Sequence, residues 1–200
     1  MDNKYEYFDK MYEVTGNNSK FGPPSIGICT SEGVALVSMK SRKSKLMITE
    51  NMDTIYMIDD HIGCVLSGRI ADGRVLIDQA RVQCQNHRFN YNEKMPVQSC
   101  VQTVSAKASE FGNVKDSSLG RPYAVEMLFA GLCNDKPQLW HMDSSGTYMS
   151  YGIKSIGNID ETQLETLCTE VNSKQINLYI AISLAKKIIG MDSDVFILQI

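Results

Sequence analysis

The apolar residues of this chain change period in blocks, and the order of the blocks is what most limits its fold. Strand-like runs come first, then two helical stripes, strand-like runs again, two more helical stripes and a last strand. Strict alternation of strand and helix would predict a doubly wound parallel sheet. Grouped strands followed by grouped helices predict two antiparallel sheets stacked face to face, with a helix pair outside each. The expected fold is an α+β, four-layer α-β-β-α sandwich.

The first strand block reads as two hairpins. SIGICT and VALVSM flank a turn at Ser31-Glu32-Gly33, and IYMI and HIGCVLS are joined through Asp59-Asp60. Between the hairpins, the basic run from Lys40 to Lys45 is expected to be a solvated loop. A helical stripe then runs from Ile70 through Gly73, Ile77, Ala80 and Cys84. A second opens at Pro96 and carries Val97, Cys100, Val101, Val104, Ala108 and Phe111 before Gly112. Strand signals return in YAVEMLFAGLC, QLWHMD and TYMSYGI, with turns at Asn134-Asp135 and Ser144-Ser145-Gly146. Asp160 and Gln163 resemble a capping box ahead of Leu164, Leu167, Cys168 and Val171. The last helix is expected over Gln175–Ile189, apolar at Ile176 and Ile180 on one face and at Leu178, Ile182, Ala185 and Ile189 on another. Apolar residues on two faces predict cover from more than its own sheet. Gly190 is the expected C-cap and VFILQI the final strand.

No repeat, low-complexity tract or linker interrupts the sequence, so residues 1–200 read as one domain. Residues 1–20 form a short N-terminal helix and loop, and residues 21–200 the sandwich. Apolar residues at 43% and charged residues at 22% are those of a globular protein. A net charge of −3 argues against nucleic-acid binding. No apolar run nears the roughly 20 residues that span a bilayer, so no membrane partner is expected. The charged start, MDNKYEYFDK, does not read as a signal peptide, and nothing directs the chain out of the cytosol. Cys29, Cys64, Cys84, Cys100, Cys133 and Cys168 form no Cys-x-x-Cys pair and lie mostly in apolar runs, as reduced thiols do. His61, His87 and His141 are scattered, so neither a metal site nor a cofactor is expected. Gly68-Arg69-Ile70-Ala71-Asp72-Gly73 lacks the Gly-Lys-Ser/Thr of a phosphate loop and reads as a tight strand-to-helix turn.

Four stretches, in order, carry a resemblance: SIGICTSEGVAL (25–36), IDDHIGCVLSGRIADGRVLIDQARVQCQNHRFNYNE (58–93), SLGRPYAVEMLFAGL (118–132) and PQLWHMDSSGTY (137–148). They resemble the α-subunit family of the 20S proteasome, most of all its type-5 branch. The resemblance implies a sandwich of the N-terminal-nucleophile hydrolase type. It also implies a non-catalytic place in a hetero-heptameric α ring, with other α subunits, β-ring subunits and a regulatory particle or activators as partners. Gating of substrate entry and activator docking in ubiquitin-dependent protein degradation, in cytoplasm and nucleus, are the expected roles. The alternative is a catalytically active β-type threonine protease or a standalone N-terminal-nucleophile hydrolase.

Active β-type members use an N-terminal threonine whose own amine is the base, supported by an aspartate and a lysine. Matched to that pattern, the nucleophile region falls on Gly22-Pro23-Pro24-Ser25, the aspartate on Met39 and the lysine on Thr54. With all three parts replaced, no catalysis is expected. Departures from the α pattern lie near the start. The Tyr-Asp-Arg gate motif and the Phe-Ser-Pro-(Asp/Glu)-Gly-Arg segment are missing, which implies a short or absent gate tail. The lysine that many α subunits use to hold an activator's C-terminal carboxylate is lost, since Ile-Glu-Lys-Ile reads Met52-Asp53-Thr54-Ile55. Tyr5, Tyr7, Phe8, Met11 and Tyr12 have no local element to cover them and are expected at a subunit interface.

Overall fold

Both expected hairpins form in the computed structural model, which describes residues 22–40, 46, 53–112, 121–159, 161–174, 177–190 and 193–200. β1 (Ser25–Thr30) pairs with β2 (Gly33–Met39), and β3 (Ile55–Asp59) with β4 (Ile62–Gly68). The helical stripes become α1 (Ile70–Tyr91) and α2 (Val97–Ala108), the latter tightening into a 3-10 turn over Ser109–Gly112. Then come β5 (Val125–Cys133), β6 (Lys136–Met142), β7 (Tyr148–Ser150) and β8 (Ile153–Ile156). The chain closes with α3 (Glu161–Lys174), α4 (Leu178–Ile189) and β9 (Ser193–Gln199). Residues 1–21, 41–45, 47–52, 113–120, 160, 175–176 and 191–192 lie outside the described residues. With them lie the expected N-terminal helix, most of the basic run and the cap of the expected capping box.

The strands form two antiparallel sheets, ordered β8-β1-β2-β9 and β3-β4-β5-β6-β7. Alternation along each strand sorts side chains between two faces, and both faces are covered. On β2, Ala35 and Val37 pack under α3 and α4 with Leu167, Leu178, Ala181 and Ile182, while Val34 and Leu36 enter the space between the sheets. On β5, Met127 and Phe129 face Leu76, Ile77 and Val101 of the α1–α2 pair, whereas Leu128 and Ala130 face the other sheet. Strands covered on both sides must be apolar at nearly every position, which is why these runs look continuous in the sequence. Each fully buried Val, Leu, Ile or Phe among them contributes about 1.5–3 kcal/mol. The expected four-layer sandwich is the observed one.

The elements depart from the sequence reading at TYMSYGI and at the last helix. TYMSYGI is not one strand: β7 pairs with β6, and β8 pairs with β1 of the other sheet. The crossing residues stay bonded to both sheets, because Tyr151 N–H donates to Leu139 C=O at 2.9 Å and Cys29 N–H donates to Gly152 C=O at 2.7 Å. The last helix starts at Leu178 rather than Gln175, because the Asn177 side chain accepts the Tyr179 amide and caps it. Ile180, expected to be covered, is more than half exposed, as is Tyr179 beside it. The hairpin turn at Asn134-Asp135 holds, with both residues at positive φ as a two-residue loop requires.

Candidate functional site

Ser25 opens β1 between Ser38 of β2 and Ile156 of β8 and is fully buried. Its Oγ lies 2.8 Å from Ser38 Oγ, so the hydroxyl that follows Pro24 is bonded to a second hydroxyl. A neutral hydroxyl does not draw off a proton at neutral pH, and attack on a carbonyl needs a base. Pro24 and Met39 are brought together by a backbone bond, Met39 N–H to Pro24 C=O at 3.1 Å. Gly22 presses on the end of β4, where a methyl group would collide with the Gly68 backbone nitrogen. Gly157, at φ 82°, lets the chain after β8 pass the Pro23 carbonyl. Pro23, Pro24 and Met39 are thus brought together, and none of the three side chains can serve as a base.

Thr54 lies just before β3, at the edge of one sheet, and faces β9, at the edge of the other. Its hydroxyl donates to Asp194 Oδ2 at 2.8 Å, and Lys40 Nζ lies 3.0 Å from Asp194 Oδ1. The first residue of the basic run is therefore an ion-pair partner rather than a solvated loop residue, with only 21% of its side chain exposed. A cleft of about 260 Å³ opens beside these groups, lined also by Asp53, Ile55, Met57 and Phe196. Nothing in the sequence near Thr54 points to Asp194, which lies 140 residues away. Tyr5, Tyr7, Phe8, Met11 and Tyr12 fall outside the described residues.

Asp72 gives the strand-to-helix turn a second purpose. Gly68 takes φ 108° as β4 ends, and Asp72 in the first turn of α1 receives both guanidinium nitrogens of Arg121, at 2.6 and 2.8 Å. The Ala124 amide adds a third bond at 3.0 Å. Burial alone would raise the Asp72 carboxyl, but these hydrogen bonds and the charges of Arg121 and Arg69 outweigh it and hold it below its ordinary value. The clamp joins Asp72 to Arg121, 49 residues apart.

Cys64, Cys84 and Cys100 are buried and Cys29, Cys133 and Cys168 partly so, all as free thiols; burial pushes the Cys64 thiol up to about 12. His61 is buried with Nε2 at 2.7 Å from the Met95 carbonyl, which only accepts, so Nε2 carries the proton. Among the described residues no group of three or more His, Cys, Asp and Glu side chains is arranged to hold a metal ion.

A family model described as "Proteasome subunit" matches residues 19–195. This chain belongs to the proteasome subunit family. Proteasome relatives similar to it include the proteins named proteasome subunit alpha type-5 from three organisms. The Drosophila melanogaster protein is 48% identical over 152 residues, which cover 74% of this chain and 62% of that protein. The Caenorhabditis elegans protein is 44% identical over 140 residues, 69% of this chain and 56% of that protein. The Trypanosoma brucei brucei protein is 42% identical over 140 residues, 69% and 57% respectively. The chain thus matches about three fifths of the length of these proteasome relatives.

Proposed function

We propose that this chain is a non-catalytic α-type subunit of the 20S proteasome core particle, a wall element of its outer ring. The observation that carries the reading is the buried Ser25–Ser38 hydroxyl pair, which offers no exposed nucleophile and no base in the segment that the family resemblance matches to a nucleophile. Similarity to proteins named alpha type-5 supports it. So does the outer face of α1, where Val75, Val82 and Phe89 recur about two helical turns apart and lie half to nine-tenths exposed. Exposed apolar stripes of this kind favour an assembled chain over a free one.

In this reading the partners are the other α subunits of a hetero-heptameric ring, the β ring beneath it and a regulatory particle or activators above. The chain would help restrict entry and dock activators in ubiquitin-dependent protein degradation, in cytoplasm and nucleus. Tyr5, Tyr7, Phe8, Met11 and Tyr12 are proposed to contact a neighbouring subunit. Thr54 marks a weakened activator pocket, since its neutral hydroxyl stands in place of an ammonium.

The test is native mass measurement and two-dimensional class averages of the complex purified through a tagged copy of the chain. A four-ring barrel is expected, with the chain keeping residues ahead of Pro23 and taking no adduct from threonine-directed covalent inhibitors. A free chain, or a mature N-terminus at Ser25 that carries such an adduct, overturns the reading in favour of a threonine protease or a standalone hydrolase.

A further inference from the structure

Three sulfur atoms meet under the α1–α2 pair, one from each of three chain segments. Cys84 of α1 has its Sγ 3.8 Å from Cys100 Sγ, in the first turn of α2, and 3.8 Å from Sδ of Met95, in the loop between the helices. All three side chains are buried in the apolar core beneath these helices. Two sulfurs bound to one soft metal at about 2.3 Å, with angles between tetrahedral and trigonal, lie about 3.8–4.0 Å apart. The observed spacings already have that value, so an ion could be held at Cys84 without moving the helices. Met95 also lines a cavity of about 620 Å³ beside His61, Pro96 and Cys133. Its unbranched, flexible side chain is the gate through which an ion would pass from that cavity to the two thiols.

Charge selects the kind of ion. A hydrogen bond from the Cys100 thiol lowers Cys84, and the same contact, with burial, raises Cys100, so the pair gives up one proton and keeps the other. The Asp59 carboxylate acts against a second thiolate there and favours a cation. A monovalent ion on one thiolate, one thiol and one thioether is a neutral assembly, which an apolar core can hold. Zinc would need four donors and a second negative ligand. Thiolate with thioether is instead the donor set that soft Cu(I) prefers, and it lies outside the His, Cys, Asp and Glu groups that hold harder metals.

We propose that Cys84, Cys100 and Met95 form a binding site for a soft monovalent cation of the Cu(I) type, which staples α1 to α2. On binding, one S–H proton leaves to solvent and a metal–thiolate bond takes its place. The proposal is independent of the role of the chain in a ring.

The experiment titrates the full chain anaerobically with Cu(I) supplied as its bicinchoninate complex, whose fading visible absorption counts the ions transferred. Cys29, Cys133 and Cys168 are only partly buried and could take Cu(I) on their own, so the titration is repeated with Cys29→Ser, Cys133→Ser and Cys168→Ser combined. That chain is expected to take one ion, to melt at a higher temperature when loaded, and to show sulfur neighbours at about 2.3 Å by X-ray absorption. Zn(II) should not displace the ion. Adding Cys84→Ala should weaken uptake by at least about tenfold, because both sulfur contacts run through Cys84. Met95→Leu, close in volume, should keep the fold and lose one sulfur neighbour. Thermal melts of the metal-free variants check folding; should Cys84→Ala not fold, the Met95→Leu absorption spectrum decides. No ion transferred, undiminished uptake by folded Cys84→Ala, or an unchanged sulfur count in Met95→Leu overturns the proposal.

Discussion

Replacing Asp72 with Asn is expected to lower the unfolding free energy by about 2–3 kcal/mol at neutral pH. Breaking a buried ion pair typically costs about 3–5 kcal/mol, and the lower figure allows for an Arg121 side chain that is 40% exposed. The amide offers the guanidinium one side-chain oxygen where the carboxylate offered two, leaving the Pro122 carbonyl as its other acceptor, and places its own N–H groups against a donor. The effect carries a pH signature. The Asp72 carboxyl is held below its unfolded value, so its contribution is complete above that value and is lost as pH falls through the folded one. Urea unfolding of the native chain and of Asp72→Asn should therefore differ most near neutrality and converge in acid below about pH 4. A constant gap down to pH 3 would mean that the loss comes from shape rather than from the charge pair.

A second large effect is expected where the two sheets meet. Leu139 is buried between them, and a methyl group placed on Gly27 would lie 2.5 Å from its Cδ1. Leu139→Ala should cost about 2–5 kcal/mol by leaving a cavity. Gly27→Ala should cost about 1–3 kcal/mol by overpacking, since Leu139 and Leu36 both crowd the position. The new methyl of one substitution fits the space left by the other. The double variant should accordingly be more stable than the sum of the single losses predicts, by about 0.5–3 kcal/mol. Chemical denaturation of all four proteins measures this coupling. Simple additivity would show that Gly27 and Leu139 do not pack against each other across the sandwich.

The layers were legible in the sequence because period reports burial. Strands covered on both faces read as apolar runs, and α1 declared itself through Gly73, Ile77, Ala80 and Cys84, all buried against its sheet or its partner helix. The split of TYMSYGI was not legible, since its residues suit a strand throughout. What divides them is the availability of two partners, β6 for Tyr148–Ser150 and β1 for Ile153–Ile156. At the candidate site, Pro23, Pro24, Met39 and Thr54 could be marked by matching a family pattern position by position. Lys40 and Asp194 could not, because β2 and β9 must first lie side by side, with Ser38 opposite Asp194, before one residue can reach the other. Arg121 escaped for the same reason: a clamp between distant segments leaves no periodic trace.

The corner at Tyr151-Gly152 makes the two sheets a bound book rather than two loose plates. The chain itself passes from one sheet to the other there, with a hydrogen bond into each, so this side acts as a spine. At Thr54 and Asp194 the sheet edges meet through side chains, like a clasp. Small rotations of one sheet against the other would pivot at the spine and appear as travel at the clasp. A partner that grips the β3–β9 margin would therefore act on the side of the sandwich opposite the Tyr151-Gly152 corner.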